Sequence, residues 1–112
     1  MLLFFRYFIL YFEGCEIMII IDAGHGGSDP GASSGDIIEK EYTLKIADYI
    51  YNRLKELDIP TVITRDTDIT LNPKDRIDFI LSNISGPNDL VISNHLNAGG
   101  GERQSVIVYA VI

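Results

Sequence analysis

The run Ile17-Met18-Ile19-Ile20-Ile21 constrains this chain more than any other feature. Its residues are apolar at every position, and four of the five are β-branched. A strand with one wet face alternates apolar and polar residues. A strand apolar throughout is buried on both faces, as inside a parallel sheet covered by helices. The run ends at Asp22-Ala23 and gives way to Gly24-His25-Gly26-Gly27-Ser28-Asp29-Pro30-Gly31, which is dense in helix and strand breakers. The stretch onward to Gly35 reads as loop.

Helical periodicity follows. From Glu39 to Asp58, Leu44, Ala47, Tyr51, Leu54 and Leu57 recur at spacings of three and four and form one apolar face. Lys45, Asp48, Asn52, Lys55 and Glu56 fall outside it, and Pro60 marks the stop. Thr61-Val62-Ile63-Thr64 reads as a second strand. Asn72-Pro73 starts a second helix, with Asn as N-cap and Pro at the first helical position. Ile77, Ile80, Leu81 and Ile84 supply its expected buried face, and Gly86-Pro87-Asn88 ends it. Leu90-Val91-Ile92-Ser93 is a third strand. After Gly99-Gly100-Gly101, Ser105 to Ile112 reads as a fourth. The order β-α-β-α-β-β predicts an α/β fold: an open, mostly parallel twisted sheet with helices on its faces. The last strand has nothing after it to cover that side, so the fold reads as incomplete at the C-terminus. Its unfinished sheet leaves an edge that could pair, and the sequence leaves the oligomeric state open.

The 112 residues suit one domain, and 46% hydrophobic residues suffice for a packed core. The net charge of −7, without a Lys/Arg cluster, argues against a nucleic-acid partner and against a membrane surface held by basic residues. Ordinary solubility accounts for the acidity. The single Cys15 allows neither an internal disulfide nor a cysteine-rich zinc site, so any metal must be held by His and carboxylate. The first twelve residues are apolar and aromatic but too short to span a membrane. They also lack a basic n-region and a small-x-small cleavage site. Two readings of residues 1–17 stand: upstream read-through before a natural start at Met18, or a degenerate export segment.

Only two histidines occur, and each follows a predicted strand. In open α/β sheets ligands bind at that edge. His25 lies in the glycine-rich turn and His95 in Ser93-Asn94-His95-Leu96-Asn97-Ala98; if their strands are neighbours, the two come close. Glu39, at the start of the first helix, is the best carboxylate to complete a three-ligand site. Two neutral imidazoles and one carboxylate leave Zn²⁺ an open position, the catalytic pattern rather than the structural one. Blander readings remain open on spacing alone. Each histidine serves equally as hydrogen-bonded structure, and Glu39 as a helix-start carboxylate favoured by the dipole. The Gly24–Gly31 loop lacks the spacing of a phosphate cradle. Arg65 could bind a substrate carboxylate bidentately or pair with Asp66, Asp68 or Asp75 as scaffold. Arg76 reads as structural. Asn94 and Asn97 could orient His95 or simply shape the turn.

Together, Ile20-Ile21-Asp22-Ala23-Gly24-His25-Gly26-Gly27, Asp29-Pro30-Gly31-Ala32, Glu39-Lys40, Thr64-Arg65-Asp66 and Ser93-Asn94-His95-Leu96-Asn97-Ala98 resemble the zinc-dependent N-acetylmuramoyl-L-alanine amidases. These are the catalytic domains of bacterial autolysins, spore cell-wall hydrolases and phage endolysins. The resemblance runs from about Met18 to Gly101, making 18–112 a partial catalytic domain. It implies that His25, Glu39 and His95 are zinc ligands and that the substrate is peptidoglycan. It implies hydrolysis of the amide between the lactyl group of muramic acid and L-alanine, at the bacterial cell wall after secretion or release. Arg65 and Asn97 are the candidate substrate contacts.

Two departures accompany the resemblance. The family pattern continues past Ile112 to a second glutamate, the catalytic acid/base, and no position here matches it. Glu102 follows the glycine loop directly and is not that residue. Glu102-Arg103-Gln104-Ser105-Val106 also stands where the family has small residues leading into the strand. Both point to a shortened domain, with a shifted frame near Glu102 as one route. No catalytic residue is therefore identified. The alternative reading is a non-catalytic zinc- and muropeptide-binding remnant, and a third is a metal-free interaction domain.

Overall fold

A computed structural model describes residues 17–97 and the backbone of 105–111. The segment before Ile17, Cys15, the Gly99–Gly101 loop, Glu102 and Ile112 lie outside the described residues. The elements run β1 (Ile19–Ala23), β2 (Ser33–Ser34), β3 (Ile37–Ile38), α1 (Glu39–Glu56), β4 (Thr61–Ile63), α2 (Pro73–Asn83), β5 (Leu90–Asn97) and β6 (Ser105–Val111). The main sheet has the order β4-β1-β5-β6. β1 lies parallel to β4 and to β5, while β6 runs antiparallel to β5. This is the mostly parallel α/β sheet expected from the sequence.

β1 sits inside the sheet, and its isoleucine run behaves as that position requires. Ile20, Ile21 and Ala23 are fully buried. Ile21 and Ala23 pack with Ala47 of α1, and Ile50, Leu54, Ile63 and Ile92 close around them. The inner face of α1 thus runs through Thr43, Ala47, Ile50 and Leu54. Leu57, expected on that face, is 52% exposed, because the helix has already turned out at its C-cap. Asp58 there takes a left-handed φ of 56°, and Ile59 N–H returns to Leu54 O at 3.0 Å. That pairing seals the last turn in the manner of a Schellman motif.

Three local expectations need correcting. The stretch before Gly35 is not all loop: β2 and β3 form a short antiparallel hairpin, Ser33 opposite Ile38 and Ser34 opposite Ile37. β5 does not end at Ser93 but continues to Asn97, because β6 pairs along its whole length, His95 opposite Ile107. Finally, α2 buries none of its residues. Ile77, Leu81 and Ile84, expected inside, are 54%, 62% and 41% exposed. Its N-terminus does form as the sequence indicates, with Asn72 accepting from the Asp75 N–H at 2.9 Å ahead of Pro73. A polar contact holds the helix to the sheet instead. Arg76 donates to Asp22 and to Ala23 O, the latter at 2.8 Å. Asp22 is only 3% exposed and also accepts from Thr64 Oγ1 and Ser93 Oγ, at 2.9 and 2.6 Å.

Candidate metal centre

Immediately after β1, Gly24 N–H bonds Asn94 O at 3.1 Å, tying the turn to β5. His25 then adopts φ 60°, a left-handed conformation uncommon outside glycine and worth noticing where function is suspected. Its carbonyl is held by Arg76 Nη2 at 2.9 Å. The turn closes on itself through Gly26 N–H to Asp29 O and Asp29 N–H to Gly26 O, at 2.9 and 3.0 Å. Gly27 carries φ 57°, and a Cβ there would lie 2.3 Å from Thr70 N, so only glycine lets the 66–70 loop pack this closely. Lys40 strengthens that packing by bridging Gly27 O and Asp68, at 2.9 and 2.7 Å.

Glu39 opens α1, and its helix start has no side-chain cap. Loop carbonyls satisfy the first amides instead. Glu39 N–H bonds Ala32 O at 2.8 Å, and Lys40 N–H bonds Pro30 O at 3.0 Å. The carboxylate is 3% exposed. Its Oε2 accepts from Ala32 N–H and its Oε1 from Leu96 N–H, both at 2.8 Å. Burial pushes this carboxyl up. The two amides and the two histidines outweigh that effect and hold it below the ordinary glutamate range.

The three expected ligands converge. Glu39 Oε1 lies 3.1 Å from His25 Nε2 and 3.3 Å from His95 Nδ1, and the two ring nitrogens lie 3.3 Å apart. The rings stand edge to face, 84° between planes. A tetrahedral ion with bonds of about 2.0 Å separates its ligand atoms by about 3.3 Å. The observed triangle fits that spacing, and the donor set of two imidazoles and one carboxylate suits zinc. The side chains of His25 and His95 are 24% and 36% exposed, so the cluster opens to solvent on one side.

The other sequence candidates fall elsewhere. Arg65 is 2% exposed, and its guanidinium donates to the carbonyls of Ala23, Gly24, Lys40 and Thr67 and to Thr43 Oγ1. Arg65, a candidate substrate contact or scaffold residue in the sequence, thus lies as a buried clamp joining β1, α1 and the 65–67 turn. Asn94 is fully buried and donates to Asp22 O at 3.4 Å. The side chain of Asn97 lies outside the described residues. Sequence reasoning missed Asp29, whose Oδ2 lies 2.9 Å from His25 Nδ1. Four residues from a histidine within one tight turn was the signal available. It also missed Thr43, whose hydroxyl donates to Gly24 O at 2.7 Å and braces the turn against α1.

The family model described as N-acetylmuramoyl-L-alanine amidase matches residues 19–110. The N-acetylmuramoyl-L-alanine amidase CwlM of Bacillus licheniformis is 38% identical over 95 residues, covering 83% of this chain and 36% of that protein. The sporulation-specific N-acetylmuramoyl-L-alanine amidase of Bacillus subtilis is 34% identical over 97 residues, with the same coverage of each. Among solved structures, the catalytic domain of CwlV from Bacillus (Paenibacillus) polymyxa var. colistinus superposes with a TM-score of 0.68 at 31% identity, over 76% of this chain and 48% of that one. The chain spans less than half the length of the curated relatives it matches.

Proposed function

The chain belongs to the N-acetylmuramoyl-L-alanine amidase family, and on that footing we propose that it is a zinc-dependent peptidoglycan hydrolase module. Its reaction is cleavage of the amide between N-acetylmuramic acid and L-alanine, and its place of action is the bacterial cell wall. One observation carries the reading. His25 Nε2, His95 Nδ1 and Glu39 Oε1 form a triangle of 3.1–3.3 Å beside an open face. Bound there, zinc supplies a Lewis acid that activates water near neutral pH and polarises a carbonyl. The chain's own contribution is preorganisation. Glu39 is locked by two backbone amides, so its charge needs no reorganisation when a ligand arrives. The partly exposed imidazoles leave the centre open to solvent on one side.

A second reading is zinc and muropeptide binding without cleavage. It asks only for the three residues that the structure brings together, His25, Glu39 and His95. General acid/base help is worth about 10²- to 10⁴-fold in rate, so zinc binding and turnover are separate properties to be measured separately. The test has two arms. Equilibrium dialysis should give one zinc per chain. Purified peptidoglycan incubated with the zinc-loaded chain should yield new L-alanine amino termini. Zinc uptake without such termini supports the binding-only reading, and no zinc uptake at micromolar concentration rejects both.

A further inference from the structure

Asp29 touches the candidate centre without being one of its three ligands. Its Oδ2 lies 2.9 Å from His25 Nδ1, and its Oδ1 accepts from Gly31 N–H at 3.1 Å. The other nitrogen of that ring, Nε2, is the one that faces Glu39 and His95. A neutral imidazole carries one proton, and the nitrogen without it is the one able to ligate. Both ring nitrogens face carboxylate oxygens, Nδ1 that of Asp29 at 2.9 Å and Nε2 that of Glu39 at 3.1 Å; the shorter contact, to Asp29, favours the proton on Nδ1 and leaves the lone pair on Nε2 aimed at the centre.

We propose that Asp29 is the positioning residue of this centre: it holds the His25 proton on Nδ1 and sets the ring plane, so that Nε2 meets a divalent cation. The inference rests on the metal-binding reading above. The two histidines present different nitrogens, Nε2 from His25 and Nδ1 from His95, so each ring needs its own means of fixing tautomer and plane. For His25 that means is the Asp29 carboxylate. The alternative role for Asp29 is to shape the turn. Two observations weigh against that as its main role. The reciprocal Gly26–Asp29 bonds are made by the backbone and survive loss of the side chain. The Asp29 side chain is also 63% exposed, where a single polar contact adds little to stability. Removing the carboxylate therefore should leave the fold nearly untouched while loosening the metal, because partners of this kind govern affinity by about 10- to 100-fold.

The experiment uses the full 112-residue chain and zinc alone as probe. Ring ¹⁵N–¹H correlation spectra of the zinc-free protein, recorded about two pH units above the ordinary histidine pKa, report the His25 tautomer. The native chain should show Nδ1–H, and Asp29→Ala should move the proton toward Nε2. Zinc affinity, by competition with a chromophoric chelator, should fall about 10- to 100-fold in Asp29→Ala. Asp29→Asn retains an acceptor oxygen and should recover most of both signals. An unchanged tautomer in Asp29→Ala overturns the proposal, even if affinity falls, since Asp29 would then act on the turn. An affinity within about twofold of native overturns it as well. Should Asp29→Ala fail to fold, Asp29→Asn decides. Nδ1–H with affinity weakened by less than about tenfold supports the proposal, and loss of Nδ1–H with native affinity sinks it. A native chain that takes up no zinc rejects the metal reading alone, and the tautomer comparison still decides whether Asp29 holds the proton.

Discussion

Gly31 shows how little room the centre has at the level of a single residue. It carries φ 67°, and a Cβ there would lie 2.6 Å from His25 Cδ2 and 2.7 Å from Glu39 Oε2. Gly31→Ala would therefore strain the backbone and push two ligands at once. We expect it to weaken zinc binding by at least about tenfold, a loss on the scale of a missing outer-shell partner. Isothermal titration would read it, and an affinity equal to native would show that the loop yields freely. The residue scale is also where sequence reading reached furthest into the site. His25, Glu39 and His95 could be grouped because only two histidines occur and breaker-rich turns left few polar residues that could meet, although His95 lies inside β5 and not past its end. The place of Arg65 was not legible. A lone arginine after a strand reads as a ligand contact, and nothing in its neighbours announces that five acceptors, four of them carbonyls, await it inside.

Among elements, α2 is where its sequence pattern places it but is rotated about its axis. Its apolar spacing marks Ile77, Ile80, Leu81 and Ile84 as the inner stripe, yet only Ile80 of these is half-buried, and the buried Asp22 draws Arg76 inward. Breaking a buried pair from one side costs about 3 kcal/mol, far more than an exposed pair such as Arg53–Glu56 is worth. Arg76→Met should therefore lower unfolding free energy in urea by about 3 kcal/mol, and adding Asp22→Asn should restore part of the loss. An additive double variant would show that the two groups do not act as a pair. The β2–β3 hairpin is illegible in the sequence for a simpler reason. Two residues per strand, with Ser33-Ser34 on one side, carry no period to detect.

Asp89 does comparable work at the other end of the sheet. It accepts from Met18 N–H at 2.9 Å and from the Ser85 and Gly86 amides at 2.6 and 3.0 Å, joining the exit of α2 to the entry of β1. The Met18 amide, then the Ser85 amide, draw its carboxyl down to about 2. A depressed carboxylate favours the folded state above its ordinary pKa of 3.8 and loses that contribution as pH falls toward about 2. Thermal unfolding between about pH 5 and about pH 2 should show a stability decline that is shallower in Asp89→Asn, whose amide cannot titrate. Parallel slopes in the two proteins would assign the decline to other carboxylates.

At the scale of the whole molecule, the described chain presents a stripe of large apolar side chains on α2. Exposed patches of this kind promote association. Ile77→Lys with Leu81→Lys should change unfolding free energy by less than about 0.5 kcal/mol, since neither residue is buried. The same pair should reduce concentration-dependent association in sedimentation velocity. Lysine is the informative choice because it brings the net charge of −7 closer to zero, which by itself would favour association. A persistent association would place the contact on another surface. The α/β architecture was legible at this scale because β-branched runs and helical periods are long-range habits of the chain. The extension of β5 to Asn97 was not, since it depends on a partner strand beyond three glycines that read only as loop.

His25 and His95 are 70 residues apart in the chain and adjacent in space. Loop closure over such a span is costly in entropy, and the ligand triangle exists only when the sheet and α1 have already assembled. Under the zinc reading, occupancy and folding become two views of one equilibrium. At about one hundred times its dissociation constant, a ligand that binds only the folded state adds about 2.7 kcal/mol. Chelation then acts on this chain as a mild denaturant, lowering its melting temperature.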